Sequence, residues 1–208
     1  MSDFEALKTL VKSGRGTDVC KRVESLLAEG ASAQDILEKG LLEAMAEVGQ
    51  RFKLNEVFVP EVLIAARAMK AGVAVLKPHL IKAGVQAFAT AVMGTVKGDL
   101  HDIGKNLVIM MLEGAGFAVV DAGVDVAPEK FVALAKEHNA QIVGLSALLT
   151  TTMPSMKNAV AAIRSAGLSA KVIIGGAPVT QAYCDAIGAD GYSPDAASAA
   201  ELAKRLIA

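Results

Sequence analysis

Tryptophan is absent from this chain of 208 residues, and only two tyrosines and six phenylalanines occur. The aromatic platforms on which single-stranded nucleic acids stack are therefore missing. An excess of either charge is missing too: 21 Lys and Arg face 22 Asp and Glu, for a formal net charge of -1. No basic field exists to hold nucleic acid or an anionic membrane. Cysteine is scarce, with Cys20 and Cys184 far apart and no CxxC spacing. Neither a disulfide framework nor a zinc site is indicated, a reducing, cytoplasmic setting is expected, and both thiols read as buried and structural. Apolar runs are cut by charge or glycine before the roughly 20 residues that a membrane span needs. The opening MSDFEALKTLVKSGRG is amphipathic and polar, not a signal peptide. What remains is a chain 53% hydrophobic and 21% charged, the balance of a well-buried globular protein.

Its character changes once. Residues 1–82 carry helical periodicity only, with Phe4, Leu7, Leu10 and Val11 on one face and Val19, Val23, Leu26 and Leu27 on the next. Helix starts are expected near Thr17 and near Ser32 or Ala33. A third helix is predicted from Gln34 to about Phe52, and a fourth opens with Pro60 in its first turn and stops near Pro78. Four helices with short connections predict an antiparallel bundle. From residue 86 to 208, short β-rich runs alternate with helical ones. Strands are predicted at Gln86–Met93, Ala118–Asp121, Gln141–Ser146, Lys171–Ile174 and Asp190–Tyr192. Helices are predicted at about 103–115, 128–138, 153–166, 179–187 and 196–207. That alternation means a five-stranded, parallel, doubly wound α/β sheet of the flavodoxin-like, Rossmann type. The expected domains are thus a helical cap, 1–82, and an α/β domain, 86–208.

Ligands of such sheets bind at the carboxyl ends of the strands, and three unusual segments fall there. The first is GTVKGDLHDIGKN. Asp99 lies two residues before His101, so in an extended segment both side chains leave on one side. An aspartate that accepts the Nδ1 proton leaves Nε2 free as a base or a metal ligand. The plainer alternative is a helix cap by Asp99 or Asp102 with an exposed histidine. Gly104, in the first turn of the next helix, costs about 1 kcal/mol against alanine, a cost explained either by a ligand pressed on the backbone or by close packing. The second segment, SALLTTTM, places four hydroxyls (Ser146, Thr150, Thr151 and Thr152) within seven residues. One cap, Thr152, does not require four. The third is the pair Gly175-Gly176, either a surface without side chains or a tight turn. Lys97 and Lys105 read as solvated charges at the rim of the first loop. His79 and His138 read as structural. There is no GxxxxGK[ST], no GxGxxG after the first strand, and no phosphoacceptor aspartate at a strand end, so P-loop, dinucleotide and receiver chemistry lack support.

Taken together, Asp99-x-His101-x-x-Gly104, Ser146-x-Leu148 and Gly175-Gly176 resemble the three-part motif of cobalamin-binding domains. The segment VGQRFKLNEVFVPEVLIAARAMKAGVAVLKPHL resembles the cap paired with the methylcobalamin domain of methionine synthase and of small corrinoid proteins. Nearly the whole chain is covered, and its size is that of the stand-alone corrinoid protein of three-component methyltransferases. The resemblance implies cobalamin bound base-off and histidine-on, with His101 as the axial cobalt ligand and Asp99 and Thr152 completing a relay. It implies that Gly98, Leu100, Asp102 and Ile103 surround that ligand. Ser146 and Thr150 would contact the base of the displaced nucleotide tail, Gly175 and Gly176 would make room for it, and Leu148 and Tyr192 would also bind the cofactor. Phe58 would cap the upper face, with Ala68 and Met69 as further candidates.

The implied function is that of a methyl carrier, not a stand-alone catalyst, cycling between Co(I) and methyl-Co(III). Its implied partners are a substrate:corrinoid methyltransferase, a second methyltransferase delivering to a thiol or tetrahydrofolate, and a reductive activase. The alternatives carried are the B12 subunit of an adenosylcobalamin mutase and a cobalamin-dependent sensor.

Overall fold

The computed structural model describes residues 4–85 and 87–208; Gln86, the expected start of the first strand and of the α/β domain, lies outside the described residues. The chain divides into two compact units, one ending at Ala87 and one running from Phe88 to Ala208.

The first unit is helical. It comprises α1 (Phe4–Lys12), α2 (Gly16–Ala28), α3 (Ala33–Asp35), a π-helical stretch (Ile36–Leu42), α4 (Glu43–Lys53) and α5 (Val59–Lys82). Leu7 and Val11 of α1, Val19, Val23 and Leu26 of α2, and Val48, Val62 and Leu76 are buried, as the helical periodicity requires. Ser32 caps its helix by accepting from the Asp35 N–H at 3.0 Å, whereas Thr17 lies inside the first turn of α2. The helix predicted from Gln34 is one run with a π insert. Gly40, inside that insert, admits the Leu7 side chain where a Cβ would lie 2.6 Å from it. The fourth helix does not stop at Pro78 but continues to Lys82. Pro78 and Ala74, whose carbonyl loses its helical donor, are both exposed, so water replaces the missing bond. No helix among the described residues is long and apolar enough to cross a membrane.

The second unit is a parallel five-stranded sheet of order β2-β1-β3-β4-β5. Its strands are β1 (Thr90–Val96), β2 (Ala118–Val126), β3 (Ile142–Ser146), β4 (Lys171–Gly175) and β5 (Gly191–Tyr192). Its helices are α6 (Ile103–Gly114), α7 (Pro128–Glu137), α8 (Met153–Ser165), α9 (Gln181–Ile187) and α10 (Ala196–Ile207). Alternate residues Val92, Val96, Val143, Leu145, Val172 and Ile174 join Phe131, Met156 and Ile163 in one core, while α6 and α10 pack together elsewhere on the unit.

Two strands run further than predicted. β1 continues past Met93 because Gly94 is a packing residue, not a break: a Cβ there would lie 2.7 Å from the Phe131 ring. β2 continues past Asp121 to Val126 through two irregularities in its register with β1. Lys105 also departs from expectation. It is 2% exposed, and its Nζ lies 2.7 and 2.8 Å from the two Asp121 carboxylate oxygens. Of these two lysines, Lys97 is exposed.

Candidate functional site

The order 2-1-3-4-5 makes the chain wind in opposite directions from β1 and β3, and the crevice at their carboxyl ends is where this topology places ligands. Two loops meet there, 97–102 after β1 and 147–152 after β3.

Asp99 joins them. It is 0% exposed, and five groups converge on its carboxylate. Oδ1 accepts from the His101 backbone N–H at 3.1 Å and lies 2.7 Å from His101 Nδ1. Oδ2 accepts from the Leu148 N–H at 2.8 Å, the Leu149 N–H at 3.4 Å and the Thr152 hydroxyl at 2.8 Å. Burial alone would raise the Asp99 pKa, but the donors from Leu148, His101 and Thr152 outweigh it and hold the carboxyl well below the usual carboxylate range. An ionised Asp99 fixes the proton on His101 Nδ1, which leaves the lone pair on Nε2.

The two capping alternatives can now be separated. Thr152 is the N-cap residue of α8 by backbone position, yet its hydroxyl makes no cap bond; it lies 2.8 Å from both Asp99 Oδ2 and the Leu149 carbonyl. Asp102 is the N-cap of α6, and its carboxylate accepts from the Asn106 amide at 3.2 Å, not from a helix N–H.

Around His101 the surface is unusual in its chemistry. The histidine side chain is 50% exposed. Leu100 and Ile103, each 72% exposed, flank it, and Leu148 and Leu149 across the crevice are exposed as well. Large apolar side chains left in water at one place mark a binding surface. Gly104 has nothing within 4 Å of where its Cβ would be, so close packing does not explain it, and the open space above the helix start does. Among the described residues no group of three His, Cys, Asp or Glu is placed to hold a metal ion. A single oriented imidazole on an apolar platform suits a flat group that brings a metal with its other ligands already in place.

The remaining predicted residues spread around this centre. Ser146 pairs in the sheet with Thr95 on one side and Gly175 on the other. Thr150 is exposed on the β3 loop. Gly176 has φ +127°, and a Cβ there would lie 1.8 Å from the Ala147 carbonyl oxygen, so its identity follows from backbone contact with that loop. Tyr192 pairs with Ile174 in β4 and is half-buried against the core. Phe58 and Met69 belong to the helical unit, where Phe58 is 62% exposed and both Ala68 and Met69 are buried. Cys184 is buried, which pushes its thiol pKa up, whereas Cys20 is half-buried, not interior. His138 forms the C-cap of α7.

Two site residues escaped the sequence reading. Thr95, a buried hydroxyl in an apolar strand, donates to the His101 carbonyl at 2.7 Å; a lone threonine amid apolar residues was the available signal. Asp125, at the end of β2, accepts from the Gly98 N–H at 2.7 Å.

Comparison with known proteins follows the same lines. A family profile described as a B12 binding domain matches residues 89–201, and a second of the same description matches residues 3–77. Dimethylamine corrinoid protein 1 of Methanosarcina acetivorans is 48% identical over 177 residues, covering 84% of this chain and 83% of that protein. A solved cobalamin-binding protein of Desulfitobacterium hafniense is similar over 100% of both chains, with 34% identity and a TM-score of 0.82. A chain of the methanol:cobalamin methyltransferase complex of Methanosarcina barkeri has 28% identity and a TM-score of 0.87, over 97% of this chain and 78% of that one.

Proposed function

The chain belongs to the family of B12-binding corrinoid proteins, and from that premise we propose that it is a methyl carrier serving two methyltransferases. One would load it from a small methylated donor; the other would unload it to a thiol or to tetrahydrofolate. A reductive activase would restore it after oxidation. The carrying observation is the Thr152–Asp99–His101 chain, in which a buried carboxylate held by the β3 loop meets His101 Nδ1 and leaves Nε2 for a ligand.

When bound, the corrin supplies a cobalt that accepts and gives up a methyl group. This chain's residues supply the rest. His101 Nε2 would bind the cobalt in place of the cofactor's own base. Asp99 keeps that imidazole in one tautomer and one orientation. The Thr152 hydroxyl and the Leu148 N–H compete for the same carboxylate, which limits how far the proton on Nδ1 shifts towards it. Leu100, Ile103, Leu148 and Leu149 give up water to the macrocycle, and Gly104 leaves it room. Ser146 and Thr150 would meet the displaced tail, and Phe58 would shield the face that carries the methyl group. The donor is chosen by the partner enzyme. Similarity of 48% to a dimethylamine corrinoid protein, against 28% to the methanol complex, puts dimethylamine first among donors to test.

The test is reconstitution with hydroxocobalamin. Uptake of about one equivalent, with the absorption spectrum of a base-off, histidine-ligated cofactor, is expected. His101→Ala is expected to lose that spectrum and to bind at least about 10- to 100-fold more weakly, the range seen on removing a mere supporting partner of a metal ligand. An unchanged spectrum overturns the ligand assignment. Failure of the reduced, loaded protein to accept methyl from any methylamine, methanol or methoxyarene methyltransferase overturns the carrier role.

Gly104 gives a second, independent check. Gly104→Ala is expected to stabilise the cofactor-free protein, by up to about 1 kcal/mol, because alanine favours helix and no atom opposes the methyl group. The same methyl group is expected to weaken hydroxocobalamin binding about tenfold, since it enters the space the corrin needs. Thermal melts and a cofactor titration on one sample read both effects. A purely structural glycine would not move them in opposite directions.

A further inference from the structure

The bulged end of β2 holds the ligand loop from the side opposite Thr152. Along β1 and β2 the pairing runs Met93 with Asp121, then Gly94 with Gly123, then Val96 with Val126. At each of the two shifts β2 spends one residue more than β1. Extra residues of this kind re-aim side chains at the ends of sheets. Here the result is Asp125, held at φ +52°, a left-handed conformation that few side chains adopt and that Asp and Asn tolerate better than most. In that conformation it makes two bonds to one dipeptide. Its carboxylate accepts from the Gly98 N–H at 2.7 Å, and its own N–H donates to the Asp99 carbonyl at 2.9 Å.

Asp99 is therefore gripped at both ends. Its side chain is fixed by the β3 loop through Leu148 and Thr152, and its main chain is fixed by β2 through Asp125. Three further bonds hold the loop. The Asp99 N–H donates to Val96, the His101 N–H to Asp99, and Thr95 donates to the His101 carbonyl. To these bonds from β1 and within the loop, Asp125 adds two from β2, one on each side of the Gly98–Asp99 peptide.

We propose that Asp125 is a positioning residue for the axial imidazole: by fixing the Gly98–Asp99 main chain it sets the direction in which His101 Nε2 points. The proposal rests on the reading of His101 as the cobalt ligand. It predicts that the loop is preformed before cofactor arrives, so that loss of Asp125 shows in the cofactor-free protein as well.

Three variants separate this role from that of an ordinary turn residue. Asp125→Gly keeps the left-handed conformation accessible and removes the carboxylate. Asp125→Ala removes both. Asp125→Asn keeps an acceptor oxygen and tolerates the conformation, and is the conservative rescue. In the cofactor-free protein, the His101 ring N–H is followed by nitrogen-resolved NMR. It is expected to be protected from exchange in wild type and Asp125→Asn and exposed in Asp125→Gly, with melting temperatures compared alongside. In the loaded protein, hydroxocobalamin affinity is expected to fall about tenfold in Asp125→Gly and to return to within about twofold in Asp125→Asn. After reduction to cobalt(II), the nitrogen splitting from histidine in the EPR spectrum is expected to weaken in step.

Wild-type ring protection, affinity and splitting in Asp125→Gly would overturn the proposal and leave Asp125 as a turn. Losses in Asp125→Asn equal to those in Asp125→Gly would overturn it too. Whichever of the Gly and Ala variants folds decides the ring protection, since both remove the acceptor. If wild type takes up no hydroxocobalamin, the carrier reading fails, while ring protection in the cofactor-free protein still decides the role of Asp125.

Discussion

Replacing Asp99 with alanine is expected to lower the stability of the α/β unit by about 3–5 kcal/mol and to abolish histidine ligation of the cofactor. The cause is the number of donors that meet on one buried carboxylate. Removing it leaves the Leu148 N–H without its acceptor, leaves the Thr152 hydroxyl only the Leu149 carbonyl, and frees the His101 ring. Asp99→Asn is the sharper chemical probe. An amide has one acceptor oxygen. If that oxygen faces Leu148 and Thr152, the amide NH2 faces His101 Nδ1 and forces the proton onto Nε2, the atom needed for cobalt. If it is turned the other way, the NH2 confronts the Leu148 N–H, a donor that has lost its acceptor. Either way the variant is expected to fold less stably and to bind hydroxocobalamin without the histidine-ligated spectrum. Chemical denaturation and absorption spectra of both variants check this; an Asp99→Asn protein with wild-type spectrum would refute it.

The same carboxylate carries a pH dependence. Its pKa in the folded protein lies below the ordinary value, which is about 3.9 in an unfolded chain. Its stabilisation is therefore complete above that value and is lost as the pH falls towards the lower, folded-state pKa. The stability gap between wild type and Asp99→Asn is expected to be constant near neutrality and to narrow below about pH 4. A gap that widens on acidification would contradict the assignment.

The second large effect is expected at Gly176. Gly176→Ala is predicted to cost about 3–5 kcal/mol, combining an unfavourable backbone conformation with an overpacked contact. The Cβ would lie 1.8 Å from the Ala147 carbonyl oxygen at φ +127°. The obstacle is main chain, so it cannot swing aside as a flexible side chain would. Relief requires moving the strand end of β4 or the start of the β3 loop. That loop is the one whose next residue, Leu148, donates to Asp99, so cobalamin affinity is expected to fall together with stability. Gly188→Ala is the control. It has φ +72° and nothing within 4 Å of a Cβ, so only the conformational cost of about 1–2 kcal/mol remains. Urea unfolding of the two variants compares them directly, and equal losses would show that the contact with Ala147 is relieved easily.

Much of this molecule is legible locally. The change from helical to alternating periodicity near residue 83 marks where one unit gives way to the other, and the two-residue spacing of Asp99 and His101 puts their side chains within reach. What local reading missed had partners distant in the chain. Pro78 suggested a helix end because proline removes a donor, but whether that matters depends on the exposure of Ala74. Lys105 reads as a solvated charge in its own helix; it is buried because Asp121, on β2, reaches it. Gly94 reads as the end of a strand until the Phe131 ring is laid against it. The second strand reads as ending at Asp121, and only pairing with β1 carries it on to Val126.

The sequence by itself therefore determined the kinds of element, their order and the chemistry available: one histidine two residues from an aspartate at a strand end, a row of hydroxyls, and glycines in the segments that follow the strands. Those depend on periodicity and on side-chain type, which neighbours in the chain settle. The tertiary structure decided which hydroxyl meets Asp99, that Gly104 is open and Gly176 is crowded, and that Asp125 braces the loop from the far side. The contacts among these join residues 27 and 53 positions apart or are set by strand order, and no local pattern records which strand lies beside which.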